Sequence, residues 1–66
     1  MKGIVRWFDT SKGYGFLYNI ENEDDSYFVH INDVESNNLL AQGDHVEFGY
    51  VDTEKGKKAI KVKKIA

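Results

Sequence analysis

Five short segments rich in β-branched and aromatic residues, each closed by a cluster of turn residues, constrain this chain more than any other feature of its sequence. GIVRWFD (Gly3 to Asp9) ends in DTSKG, and GYGFLYNI (Gly13 to Ile20) ends in the polar stretch ENEDD. The length and polarity of ENEDD, Glu21 to Asp25, predict a hairpin loop. SYFVHI (Ser26 to Ile31) is the third strand, and Asn32 follows it as the expected cap of one helical turn through Asp33 to Ser36. After the loop ESNNLLAQGD, HVEFGYV (His45 to Val51) sets Val46, Phe48 and Tyr50 on one face. A turn in DTEKGKK leads to KAIKVKKI (Lys58 to Ile65), with Ile60 and Val62 on one side and Lys61 and Lys63 on the other. Five strands in 66 residues predict a closed or nearly closed all-β barrel, because closure removes the edges an open sheet would expose.

So short a chain buries only about 60% of the surface its unfolded form exposes. There is no cysteine to add a disulfide or a thiolate metal site, so packing and strand pairing must hold the fold. No run approaches the roughly 20 apolar residues of a membrane span, and MKGIVRW lacks the apolar stretch of a signal peptide. One soluble cytoplasmic domain over residues 1–66 is the expectation, a monomer, with strand exchange as the route to a dimer. The net charge of −2 argues mildly against a generic polyanion binder. Its distribution is uneven, with six lysines and no acid from Lys55 to Ala66 and four acids within ENEDD. Such a chain is expected to have a basic and an acidic end, and charge alone favours reading both as solvated loop or edge charges.

The rings raise a sharper question. In the second strand Tyr14, Phe16 and Tyr18 share one face, while Gly15 and Leu17 share the other. Burying the first set would fill a thin barrel with three rings, two of them carrying hydroxyls that need partners. Burying Leu17 and Ile20, with Gly15 allowing close approach, leaves the rings at the surface. In the third strand Val29 and Ile31 make a good barrel lining, which turns Phe28 and His30 outward beside Phe16 and Tyr14. For a single alternating strand a buried Phe16 or Phe28 is the more ordinary arrangement; two neighbouring strands giving the same answer weigh against it. Trp7 stays open, since alternation from Val5 puts it inside whereas a bulge puts Arg6 and Trp7 on one accessible side. Exposed rings stack unpaired bases in a sequence-tolerant way, and Arg6, Lys12, Lys55, Lys57 and Lys58 flank them with positive charge.

At these residues the chain resembles the bacterial cold-shock proteins. GIVRWFDTSKGYGFLY is similar to the family's opening motif, DDSYFVHI to its second ribonucleoprotein-type motif, and LLAQGDHVEF to its later G-x-x-V-x-F segment. The resemblance implies a five-stranded antiparallel OB-type barrel that binds single-stranded RNA and DNA with little sequence preference, as an RNA chaperone of the cold-shock stress response. It implies base stacking by Trp7, Tyr14, Phe16, Phe28 and His30, cationic contacts from Arg6, Lys12 and Lys55, and a base-edge acceptor in Asp25. It also favours Trp7 on the accessible side. Ile31 stands where the family has a phenylalanine, ESNNLL carries no aromatic, and Asp9 replaces an asparagine. Tyr18 is a ring where the family does not usually have one and is expected to restore part of the stacking length.

Two other classes of function compete with this reading. A ribonuclease needs an acid and a base on one phosphate, but His30 and His45, the only histidines, fall on different strands with no evident third group. ENEDD lacks the glycine and spacing of a calcium loop, so neither catalysis nor a metal or other cofactor is expected. A small barrel that binds proline-rich peptides also uses Tyr and Trp, but it does not require cations around them.

Overall fold

A computed structural model describes residues 1–35 and 40–65. Strands β1 (Lys2–Asp9), β2 (Tyr14–Asn19), β3 (Asn22–His30), β4 (His45–Thr53) and β5 (Gly56–Lys64) close into a barrel in the order β1-β2-β3-β5-β4. The pairings are antiparallel except for the seam between β3 and β5, which is parallel and meets at the single pair Phe28 and Lys58. A second parallel bridge, Val34 to Val62, extends that seam.

The core consists of Val5, Leu17, Tyr27, Val29, Val34, Leu40, Val46, Phe48, Ala59 and Val62, with Phe8 packed against it. Alternation accounts for most of this set: Leu17 and Val29 point inward from β2 and β3, as expected, and so do Val46 and Phe48 from β4. Gly15 is buried because β1 crosses tightly behind it. A Cβ there would overlap the Trp7 carbonyl oxygen and lie 2.7 Å from Phe8 Cα.

Several boundaries differ from those read in the sequence. ENEDD is not a loop: β3 begins at Asn22, and the turn is only Ile20 and Glu21. Side chains explain the shortness, since Asn19 Oδ1 accepts from Glu21 N and Asn22 Oδ1 accepts from Asp24 N, so two Asx turns fold the corner locally. Ile20, expected in the core with Leu17, sits on this corner and is 45% exposed. Ile31 leaves the strand and is only half-buried, while Tyr27 takes the deep position. The residue that caps the short 3-10 turn Ile31–Asp33 is His30, whose Nδ1 accepts from Asn32 N at 3.1 Å; Asn32 lies inside the turn. The expected end of that turn at Ser36 and the loop positions 37–39 lie outside the described residues.

In β5 a bulge at Lys61, which has a φ of 51°, breaks the expected pairing of Ile60 with Val62. Ala59 and Val62 point inward and Ile60 is half-exposed. Tyr50, expected with Val46 and Phe48, is 42% exposed but leans on Tyr27 at a centroid distance of 5.3 Å.

The acidic and basic segments do not form separate ends. Lys57 pairs with Asp25 at 3.0 Å, Lys58 with Asp33 at 3.2 Å and Lys64 with Asp44 at 3.3 Å. Every ion pair among the described residues thus ties β5 to another part of the chain. Each contributes little on its own at the surface, but the first two lie along the seam, where main-chain pairing is sparse.

Candidate nucleic-acid interface

The outer face of β1, β2 and β3 gathers the rings. Across β2 and β3, Tyr14 stands opposite His30, Phe16 opposite Phe28 and Tyr18 opposite Ser26. On β1 the register moves by one between Val5, opposite Leu17, and Trp7, opposite Phe16, so Arg6 is the extra residue of a bulge. The bulge answers the question that alternation leaves open: Val5 is buried, Trp7 is 39% exposed, and Arg6 is exposed next to it.

Trp7, Phe16, Phe28 and Tyr14 form a closed ring of contacts. Their centroids are 5.5 Å apart for Trp7 and Phe16 and 5.8 Å for Phe16 with Phe28, Phe28 with Tyr14 and Tyr14 with Trp7. The tilted and edge-on geometries are the favoured ones for aromatic pairs. Each ring is therefore fixed by two others while keeping part of its surface in water. His30 extends the row along β3 beyond Phe28, opposite Tyr14, and its bond from Asn32 puts the proton of a neutral ring on Nε2, away from the turn.

A groove of about 590 Å³ lies over Phe16, Ser26 and Phe28, walled by Thr53, Lys55, Gly56, Lys57 and Lys58 from the β4–β5 hairpin. Lys55 is exposed at the hairpin tip, where its N–H donates to Thr53 Oγ1. Ser26 escaped the reading of the sequence, although extending the parity of Phe28 by one step would have placed it on this face. Lys57 and Lys58 are held by Asp25 and Asp33. Lys12 is exposed in the β1–β2 turn. Asp9, the acid beside the rings, is turned into that same corner, where one carboxylate oxygen accepts from Ser11 Oγ and from the N–H groups of Ser11 and Lys12. These bonds, the Ser11 hydroxyl first, hold its pKa below the usual 3.8.

Two of the sequence-selected residues stand apart from the quartet. Asp25 has the parity of Tyr27, not of Phe28, and both its oxygens are engaged: Oδ2 by the Tyr27 hydroxyl at 2.7 Å and by Asn19, Oδ1 by Lys57. These partners, Tyr27 foremost and then Lys57, lower its pKa. Tyr18 shares the face of Phe16, but its ring is covered by the Arg6 guanidinium at 4.8 Å. Among the described residues no cluster of three or more His, Asp or Glu side chains is placed to hold a metal ion, and no helix is long and apolar enough to cross a membrane.

A small closed barrel whose outer face carries a ring quartet and a lysine-bearing hairpin defines a class, and comparison with known proteins identifies it. Residues 1–65 match the model of the 'Cold-shock' DNA-binding domain. The chain belongs to that family. It is similar to Cold shock-like protein CspC of Shigella flexneri, with 42% identity over 94% of this chain and 91% of that protein. Its identity to CspC of Escherichia coli K12 is 41% over the same shares. Cold shock-like protein CspB of Yersinia pestis is 38% identical over 94% of this chain and 90% of its own length. Among solved structures, Drosophila Unr CSD456 superposes with a TM-score of 0.76 at 26% identity, over 98% of this chain and 26% of that much longer one. The fold is thus the OB-type barrel that the resemblance implied.

Proposed function

We propose that this protein binds single-stranded RNA and DNA with little sequence preference and acts in the cytoplasm as an RNA chaperone of the cold-shock type. One observation carries the proposal: four mutually braced rings, Trp7, Tyr14, Phe16 and Phe28, are presented to water on a rigid sheet. Every base has a π-face, so such a surface takes unpaired bases whatever their sequence, at about 1–3 kcal/mol per base. Bases in a duplex are stacked on one another and have no face to offer. His30 continues the stacking row, and Arg6, Lys12 and Lys55 supply positive charge to a bound strand. Asp25 serves as a base-edge acceptor only where a ligand displaces Lys57 from it. Catalysis has no part in this reading, and the 1–66 chain acts as one binding domain.

The test is to titrate pyrimidine-rich single strands while following Trp7 emission, with a duplex of equal length as control. Quenching by the single strand and hardly any by the duplex is expected. Equal affinity for the two would remove the proposal.

A further inference from the structure

Arg6 stands in a second, smaller groove that the quartet does not use. This groove, of about 240 Å³, is lined by Ile4, Val5, Arg6, Tyr18, Glu23, Gln42 and Gly43. The guanidinium is fixed in two ways: it lies over the Tyr18 ring at 4.8 Å, and Nη2 donates to the Glu23 carbonyl at 2.8 Å. An arginine held by a ring on one face and an acceptor on one edge has already lost most of its rotamer freedom, and its opposite face remains a flat cationic surface. The far wall is equally fixed, because Gly43 N donates to Val5 O at 2.8 Å and Val5 N to Asp44 O at 2.9 Å. Those bonds use the main-chain groups next to the β1 bulge, so the bulge that exposes Trp7 also builds this groove.

Its position continues the row of rings. Arg6 adjoins Trp7 in sequence, and Tyr18 follows Phe16 on the same face of β2. Tyr18 does not extend the stacking surface directly, since Arg6 covers it. We propose that one terminal nucleobase of a strand lying over the quartet stacks on the outer face of the Arg6 guanidinium, with Tyr18 as the positioning residue beneath it. We further propose that Glu23 and Gln42 favour a base carrying an exocyclic amino group at that position.

The lining decides between a base and a phosphate. The Glu23 carboxylate repels an anion but accepts from amino hydrogens, as carboxylates do from cytosine N4, and a glutamine amide pairs with adenine N6 and N7. Thymine and uracil offer only a single N3–H flanked by two carbonyl oxygens, so a carboxylate that accepts from it faces an oxygen on either side, whereas an amino group presents two hydrogens. The groove has less than half the volume of the one over Phe16 and Phe28, which suits one base and not a run of them.

The inference rests on the single-strand reading above, and its test separates the two. Oligothymidylates of four to eight nucleotides are titrated against Trp7 emission, alongside versions with one cytosine or adenine at the 5′ or the 3′ terminus. The expected result is a gain of about three- to tenfold for the amino-bearing base at one terminus only, the size of one added hydrogen bond. Glu23→Gln keeps the backbone carbonyl that anchors Arg6; with Gln42→Ala it should reduce that gain while leaving all-thymine affinity within about twofold. Arg6→Ala should abolish the gain, and Tyr18→Phe, which retains the ring, should keep it where Tyr18→Ala does not. A native protein that binds oligothymidylate but shows no terminal preference, or a preference unmoved by Glu23→Gln and Arg6→Ala, overturns the inference alone. Failure of every single strand to bind overturns the single-strand reading instead.

Discussion

Phe16 and Phe28 face each other across β2 and β3, and each touches two other rings while remaining half-exposed. Replacing either with alanine should weaken single-strand binding by about 1–3 kcal/mol. Stability should fall by about 1–3 kcal/mol, the worth of two lost aromatic pairs, with the fold retained. Oligonucleotide titration paired with thermal unfolding checks both; a variant that fails to fold would make the ring a core residue. The parity of these two positions was legible because Gly15, Leu17 and Val29 leave the other face as the only good lining. Tyr18 was legible as a ring on the same face, but not as a support for Arg6. That contact depends on how far the bulge carries a side chain, which residue parity does not encode.

At the scale of elements, runs of β-branched and aromatic residues located all five strands, and the turn at Asp9 to Gly13 was marked by its own residues. The misread features at the β2–β3 corner and after β3 share a cause: each depends on side chains that bond to the main chain close by. Asn19 and Asn22 tighten the β2–β3 corner until ENEDD becomes strand, and His30 caps the turn assigned to Asn32. The bulges at Arg6 and Lys61 shift parity where nothing in the residue types announces it. One cross-element cluster has a consequence in pH. Burial, then the bond to Asp25, pushes the Tyr27 hydroxyl up to about 12, while Asp25 is held below its ordinary 3.8 and Lys57 is raised by its bond to Asp25. A raised group stabilises the fold below its unfolded value, so the contribution of Tyr27 is complete below pH 10.0 and is lost as pH rises towards about 12. The depressed Asp25 acts in the opposite sense, stabilising above pH 3.8 and losing that contribution as pH falls through its lowered value. Denaturant midpoints measured from pH 2 to 12 should therefore decline at both ends. Tyr27→Phe should flatten the alkaline decline and Asp25→Asn the acid one; unchanged limbs in both variants would show that other groups govern them.

For the whole molecule, the closed barrel followed from five strands in a short chain, whereas the placement of charge did not follow from its order in the sequence. Lysines that look like a basic tail are distributed along β5, and three of them are neutralised by aspartates from elsewhere. Arg6, Lys12 and Lys55, which make no ion pair among the described residues, are left to offset the charge of a bound strand. With roughly 0.7 counterion released per contact on a single strand, three cations give a slope of log K against log salt of about −2. Lys55→Gln should make it shallower by somewhat under one unit, while Phe28→Ala should lower affinity at every salt concentration and leave the slope unchanged. A slope steeper than about −5 would mean that charge, not stacking, dominates.

The seam between β3 and β5 lies directly under the proposed ligand. Its one main-chain pair joins Phe28, a stacking ring, to Lys58, and the Lys55 hairpin overhangs it. A bound strand therefore bridges two strands that share only one ladder pair, and it has no affinity for the form in which they have parted. Occupancy then becomes a question of amide exchange as much as of contact: bound oligonucleotide should slow hydrogen exchange in Gly56 to Ala59 far more than in the β1–β2 hairpin, which six ladder pairs already join on either side of its bulge. Uniform slowing across both hairpins, measured by hydrogen–deuterium exchange, would show that the seam is no looser than the rest. If the expected pattern holds, a chain with so thin a core has its least stable opening at the place where its ligand sits, and the ligand completes the barrel.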